Sequence, residues 1–343
     1  MTTHTVVLIP GDGIGPEVSD AVQRILEAAK APITFETRLA GQSALEHGLE
    51  DVLPQETVAA IRQHHVALKG PCTTPVGRGF SSVNVALRRK LNLYAALRPV
   101  RSLGGIKTRF ENVDLVVVRE NTEGLYSGIE NLITDGVVVS MKVATRVACQ
   151  RIAHWTFRYA THRKRRKISV FHKANIMKLS DGMILEEARK VHERDYPNID
   201  YEEVIIDAAH MRLVQDPTQF DIILCENLYG DIVSDLCAGL VGGLGVAPGA
   251  NIGDEDAVFE AVHGSAPDIA GKNLANPMSL LMSSTMMLKH LAETRQDRAC
   301  FAAAERVKRA YDQALEQGEK TRDLGGQLGT REFAQAIIDR LAE

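Results

Sequence analysis

Residues 5–28 read TVVLIPGDGIGPEVSDAVQRILEA. The apolar, β-branched run Thr5–Ile9 suits a buried strand. Gly11, Gly13 and Gly15 then allow a tight turn. Pro16 fits the first position of a helix, where its missing N–H is no loss. From Glu17 to Lys30, Val18, Val22, Ile25 and Leu26 recur at helical spacing. A strand, a glycine turn and a helix make the opening unit of an α/β protein. The glycines are spaced G-x-G-x-G, and Pro16 stands where the third glycine of G-x-G-x-x-G belongs. The dinucleotide fingerprint therefore fails, and the expected fold is α/β but not Rossmann.

The same alternation continues along the chain. Apolar runs predict strands at Thr5–Ile9, Val66–Leu68, Val113–Val118, Ile168–Phe171, Glu203–Ile206, Asp221–Leu224 and Val258–Ala261. Helical spacing covers Glu17–Lys30, Pro54–His64, Val83–Leu91, Asp181–Glu193 and Ser279–Ala292, and the stretch from Cys300 onward is mostly helical. Two segments interrupt the pattern. Asn131–Met141 places β-branched residues on both sides of Asp135-Gly136, the signature of a hairpin. Gly239–Gly253 is so rich in glycine that neither regular element is expected there, only a hinge or a crossing between domains.

At 343 residues the chain suggests two domains. Forty Lys and Arg against 44 Asp and Glu, a net charge of −4, exclude a strongly basic nucleic-acid binder. The basic run Arg163–Lys167 has no aromatic stacking platform beside it and is expected to be a solvated loop. The uncharged stretch Leu236–Gly253 holds six glycines and Pro248, so it makes a poor membrane span. The expectation is thus no nucleic acid and no membrane. Five scattered cysteines without a CxxC pair fit a reducing compartment. With no secretory leader in the first residues, a cytoplasmic chain is expected.

Chemistry-bearing residues gather near the expected strand ends. Arg88 lies on the helix after Ser81-Ser82-Val83-Asn84, Arg98 is held extended by Pro99, and Arg119 follows an expected strand. Open α/β sheets bind ligands beyond their carboxyl ends, and arginine grips carboxylates with two parallel hydrogen bonds. Lys173 and Asp207 also follow strands. Asp231 and Asp235, four apart on one helix face, either hold an oxygen-loving cation such as Mg²⁺ or Mn²⁺ or simply complement a helix dipole.

At these residues the sequence resembles the isocitrate/isopropylmalate β-decarboxylating dehydrogenases. The resemblance rests on IPGDGIGPEV (9–18), KGPCTTPVG (69–77), SVNVALRRKLNLYAALRPVR (82–101), RENTEGLYSGIE (119–130), HKANIMKLSDG (172–182), NLYGDIVSDLCAGLVGGLG (227–245) and HGSAPDIAGKNLANP (263–277). It implies an open, non-Rossmann sheet and two domains. The large one takes residues 1–95 and 243–343, and the inserted small one takes 96–242 with a clasp hairpin near 127–145. It also implies a homodimer or larger homo-oligomer that completes each active site from the partner.

Carried over by position, Ser82, Asn84, Arg88, Arg98, Arg119 and Asn175 match substrate-binding residues. Tyr126 matches the general acid, and Lys173 the base supplied across the interface. Asp207 (also from the partner), Asp231 and Asp235 match ligands of Mg²⁺ or Mn²⁺. Thr74, Asn84, His263, Gly264, Ala266, Asp268, Ile269 and Asn276 match the NAD site. The implied reaction is oxidative decarboxylation of isocitrate. Ser82 and Asn84 can donate hydrogen bonds to its distal carboxylate, where 3-isopropylmalate would need an apolar wall. Homoisocitrate, one methylene longer, is the nearest rival, since a methylene discriminates by only about 1–3 kcal/mol. A non-catalytic regulatory subunit would be expected to lack part of this set. Asp268-Ile269, where NADP-using relatives carry Lys-Tyr, points to NAD because a carboxylate repels a 2′-phosphate. Cys72 departs from the usual aliphatic residue and is a candidate oxidation-sensitive thiol. Glu226 is unusual before the NLYGD turn.

Overall fold

A computed structural model describes residues 3–75 and 82–342. Its strands are β1 (His4–Ile9), β2 (Ile33–Thr37), β3 (Val66–Lys69), β4 (Ala95–Arg101), β5 (Asp114–Glu120), β6 (Gly124–Thr134), β7 (Val137–Val143), β8 (Lys167–His172), β9 (Asp200–Ile205), β10 (Ile222–Cys225), β11 (Pro248–Ile252) and β12 (Ala257–Ala261). Its helices are α1 (Gly15–Ala28), α2 (Gln42–Glu46), α3 (Gln55–His64), α4 (Val83–Lys90), α5 (Arg146–His162), α6 (Ser180–Asp195), α7 (Ile206–Gln215), α8 (Asn227–Leu240), α9 (Met278–Thr294), α10 (Arg298–Glu316) and α11 (Thr330–Ala342). Pro16 sits in the first turn of α1, as its spacing from the glycine turn predicts.

Ten strands form one sheet in the order β2-β1-β3-β12-β11-β4-β5-β10-β8-β9. β2, β1, β3 and β12 are mutually parallel, as are β5, β10, β8 and β9. Between the two blocks, β11 runs antiparallel to both β12 and β4, and β4 runs antiparallel to β5. β6 and β7 form a separate hairpin that turns at Asp135-Gly136, with Gly136 at φ 73°.

The two faces of the sheet are packed differently. Val6 and Leu8 on β1, Leu97 on β4 and Val116 and Val118 on β5 point into one continuous core closed by α1, α5, α6, α9, α10 and α11. The alternate residues face two separate cores. One gathers Val7, Ile9, Ala67 and Val258 beneath α3 and α4, and the other gathers Leu115, Val117 and Ile223 beneath α7 and α8. Each fully buried aliphatic side chain contributes about 1.5–3 kcal/mol to holding its helix on the sheet. Over the antiparallel seam, between those two cores, the sheet carries charge instead.

The glycine-rich stretch corrects an expectation. It is regular structure: the end of α8, a single 3-10 turn (Leu244–Val246) and the central strand β11. Gly249 is needed within β11, because a Cβ there would strike the guanidinium of Arg98. The basic run is also less free than a solvated loop. Arg163 pairs with Glu293 at 2.6 Å, Arg165 with Asp114 and Asp221 at 2.7 and 2.8 Å, and Lys167 with Glu202 at 2.8 Å. No helix among the described residues is long and apolar enough to cross a membrane.

Candidate active site

The seam strands supply the floor of a charged cleft. Arg98 comes from the middle of β4, Arg119 from β5, Asn251 from β11, Glu260 from β12 and Lys69 from β3. Glu260, 4 % exposed, accepts from Arg98 at 2.8 Å and Asn251 at 2.7 Å, and pairs with Lys69 at 3.2 Å and Arg88 at 3.3 Å. Burial alone would favour its neutral form. The charges of Lys69, Arg88 and Arg98 override that and hold its carboxyl well below the usual range.

Two helices close over this floor. At the start of α4, the Ser82 hydroxyl caps the helix by accepting from the Val85 N–H at 3.5 Å, which leaves its own O–H free to donate. Asn84 follows with a buried Oδ1 that has no partner among the described residues. Arg88 enters one turn further on. α8 begins where the Glu226 carboxylate accepts from the Tyr229 N–H at 2.8 Å. Asn227 then receives Arg119 Nε and Nη2 at 2.9 and 2.7 Å. Gly230 lets the helix lie against β5, since a Cβ there would sit 2.6 Å from Arg119 Cβ. The next residue, Asp231, one turn after Asn227, accepts from both Arg119 and the Tyr126 hydroxyl. The Arg119 guanidinium lies 4.9 Å over the Tyr126 ring.

The result is a cavity of about 230 Å³ lined by Ser82, Asn84, Arg88, Arg98, Tyr126, Asp231 and Asp235, with Lys69 and Glu260 at its base and His263 and Gly264 at its edge. Its groups tune one another. Burial and then the charge of Arg88 lower Arg119 to about 10. Burial, followed by the hydrogen bond to Asp231, raises the Tyr126 phenol, so it keeps its proton at neutral pH. Burial and the charge of Asp231 raise Asp235. Two carboxylates four residues apart on one helix face, both lining the cavity, fit a divalent cation between them.

The chain gathers most of the expected residues but not all. Lys173 and Asp207 pair with each other, 24 % and 65 % exposed, and do not line the cavity; Asn175 is exposed in the turn after β8. Thr74, also exposed, donates to Ser82 at 3.4 Å. Of the residues expected to hold NAD, Asn84 lines the cavity and His263 and Gly264 sit at its edge, while Ala266, Asp268, Ile269 and Asn276 do not line it. His263 Nδ1 lies 3.0 Å from the Gly264 carbonyl, and its Nε2 is buried without a partner among the described residues. Ala266 adopts φ 37°, opening the 3-10 turn Pro267–Ile269 on which Asp268 is exposed. Asn276 is tied to Asp323 and to the Met278 N–H, both at 2.9 Å.

Several placements differ from expectation. Arg119 does not follow its strand but lies within β5, 2 % exposed, because β5 runs on to Glu120. Arg98 is mid-strand, so the site spreads over the sheet face as well as the strand ends. Asp207 belongs to the first turn of α7. Cys72 is buried and desolvation raises its thiol, which makes it a poor oxidation sensor. Val76, Gly77 and Ser81 lie outside the described residues. Lys69 and Glu260 went unanticipated, although a glutamate inside the apolar run AVFEAV (257–262) was the available signal.

Residues 5–337 match the family model described as isocitrate/isopropylmalate dehydrogenase. The chain belongs to this family. It is 49 % identical over 342 residues to an Arabidopsis thaliana protein named isocitrate dehydrogenase [NAD] catalytic subunit 5, mitochondrial, covering 99 % of this chain and 89 % of that one. A relative from Dictyostelium discoideum, named as a regulatory subunit of the mitochondrial NAD enzyme, is also 49 % identical and covers 98 % of this chain and 92 % of that one. The crystal structure of isocitrate dehydrogenase from Methylococcus capsulatus superimposes with a TM-score of 0.93 at 45 % identity, covering 99 % of this chain and 100 % of that chain. Family membership thus accounts for the mixed sheet and its seam. Catalytic and regulatory names both occur among these relatives, so the residues of the cavity have to distinguish the two roles.

Proposed function

We propose that the protein oxidatively decarboxylates isocitrate to 2-oxoglutarate and CO₂ while reducing NAD⁺. One observation carries the proposal: Arg88, Arg98, Tyr126, Asp231 and Asp235 share a single cavity, with Arg119 bound to Asp231 and Tyr126. A trianionic hydroxy acid needs several cations and a proton donor, and this cavity offers both. The polar lining at Ser82 and Asn84 favours a carboxylate over the alkyl group of 3-isopropylmalate. A regulatory subunit has no need of the complete set.

The chain's own groups supply most of the chemistry. Arg88, Arg98 and Arg119 orient the substrate carboxylates, with Ser82 and Asn84 donating to the distal one. Mg²⁺ or Mn²⁺, held by Asp231 and Asp235 with Asp207 of a second copy, supplies Lewis-acid polarisation of the substrate oxygens when bound. His263, Gly264, Ala266, Asp268, Ile269 and Asn276 together with Thr74 form the berth for NAD⁺, the acceptor of the C2 hydride. Lys173 of a second copy accepts the C2 hydroxyl proton. Loss of CO₂ leaves an enolate, and the protonated Tyr126 phenol delivers a proton to C3.

The homodimer belongs to this proposal. Lys173 and Asp207 face outward from their own chain. The β6–β7 hairpin exposes Ile129, Leu132, Ile133 and Val138 at 42–70 %, apolar surface that a second copy would cover. The two separate cores on the cleft side of the sheet support the division into 1–95 plus 243–343 and 96–242. Five free, buried cysteines support cytoplasmic residence. The deciding experiment is an initial-rate assay with isocitrate, homoisocitrate and 3-isopropylmalate, each with NAD⁺ or NADP⁺ and with or without Mg²⁺. Isocitrate with NAD⁺ and Mg²⁺ should give the highest kcat/KM. No turnover of isocitrate in any combination refutes the proposal.

A further inference from the structure

The sheet face opposite the charged cleft carries a second, larger cavity. Leu97 on β4, Ala250 on β11 and Phe259 on β12 alternate with Arg98, Asn251 and Glu260, so they point away from the cleft. They form the floor of a space of about 590 Å³ between α5 and α9. That volume lies within the range of small-molecule sites, and none of the groups assigned to substrate, cation or NAD lines it.

Its walls are aromatic on both sides. On α5, Trp155 and Tyr159 stack one turn apart, 5.3 Å between centroids and 11° between planes. On the α9 side His290 lines the cavity and lies 5.5 Å from Phe259 of the floor, their rings tilted by 56°. Burial lowers the His290 pKa, so the ring is neutral, and it has no hydrogen-bond partner among the described residues. The rim is cationic. Arg163 is already paired with Glu293 at 2.6 Å and Lys289 with Glu305 at 2.8 Å. Arg158 lines the same cavity, is exposed, and has no acidic partner among the described residues.

We propose that this cavity binds a planar aromatic anion, its ring over Phe259 between Trp155 and Tyr159 of α5 and His290 of α9, and its anionic group on Arg158. An aromatic slot accepts a flat ring by offset stacking and area burial. One uncompensated guanidinium at its mouth selects a ligand with a carboxylate or similar anion over a neutral one. The site does not depend on which hydroxy acid the opposite cleft takes.

Trp155 is the chain's single tryptophan, so its emission reports this cavity alone. The probe is 4-nitrobenzoate, a planar, non-emissive quencher, with 4-nitrobenzamide as the neutral isostere and acetate as the anion without a ring. The titration uses the intact protein. Saturable quenching by nitrobenzoate is expected, with Kd below about 1 mM, the amide roughly tenfold weaker and acetate silent. Arg158→Glu and Arg158→Gln should each weaken nitrobenzoate about tenfold, leave the amide unchanged and leave the melting temperature in place, while Arg158→Lys recovers part of the affinity. Saturating isocitrate, NAD⁺ and Mg²⁺ should not displace the probe. Linear, unsaturable quenching overturns the proposal, as does equal affinity for acid and amide. Displacement by isocitrate also overturns it, because the probe would then lie in the charged cleft.

Discussion

Replacing Glu260 by Gln removes one negative charge from the centre of the cleft with almost no change in volume. The amide oxygen can still accept from Asn251, so no hole is created, and the loss is electrostatic. Lys69, Arg88 and Arg98, respectively 2, 11 and 7 % exposed, are left without their shared counter-ion. Breaking a buried pair by removing one partner costs about 3–5 kcal/mol. For 343 residues, an unfolding entropy of about 2.1 cal/mol/K per residue converts this into a fall in Tm of about 4–7 °C. Thermal melting at pH 7.5 measures it. Isocitrate should then raise the Tm of Glu260→Gln more than that of the wild type, because its carboxylates replace the missing charge at Arg88 and Arg98. The folded Glu260 carboxyl lies below its unfolded value. Its contribution is therefore complete above the unfolded carboxylate range, near pH 4.3, and is lost as pH falls through the folded value. The gap between wild type and variant should stay constant from pH 8 to 5 and narrow only in acid. An unchanged or higher Tm for the variant, or a gap that closes between pH 8 and 6, refutes the counter-ion role.

Tyr126→Phe keeps the ring beneath Arg119 but removes the proton donor. It should cut kcat by about 10²–10⁴ with KM for isocitrate changed far less, as read from steady-state kinetics. Mixing inactive Tyr126→Phe and Lys173→Met chains, unfolded and refolded together, should restore activity in the mixed dimers. Failure to regain any would place both groups in one chain's site. Asp268→Lys with Ile269→Tyr should lower kcat/KM for NAD⁺ and raise it for NADP⁺, and unchanged selectivity would remove Asp268 from the cofactor berth. Chelation by EDTA should abolish turnover, and Asp235→Asn should shift the Mg²⁺ titration to concentrations at least about tenfold higher.

The parts of this molecule legible in the sequence are those that obey local rules. The opening strand, the Pro16 turn, the Asp-Gly hairpin and the four-residue spacing of Asp231 and Asp235 each follow from backbone or helix geometry. The strands that escaped notice are β2, β4 and β11. β2 is a short edge strand with no fully buried residue. β4 reads AALRPVR, where an arginine and a proline break the apolar run of a central strand. The arginine is tolerated there because Glu260 meets it across β11, a partner 162 positions away in the chain. β11 reads PGANI, and its glycine makes room for that same arginine. Where the sheet became a binding surface it gave up the patterning that announces a strand. Likewise the pairing of Lys173 with Asp207, away from the cavity, depends on how β8 and α7 are brought together, which no spacing encodes.

The strand order has a consequence for how the chain is made. β11 and β12, residues 248–261, separate β3 from β4, which are consecutive in sequence. A nascent chain emerging from the ribosome can therefore complete neither half of the sheet for most of its synthesis. Until residue 261 is free, β3 and β4 each present an open edge able to pair with another chain. Lys69, Arg88 and Arg98 likewise wait for their counter-charge until Glu260 arrives. The seam that creates the cleft thus makes the protein's last central strands its molecular keystone. A truncation before Pro248 should leave a chain with two sticky edges and unneutralised cations, a natural client for chaperones.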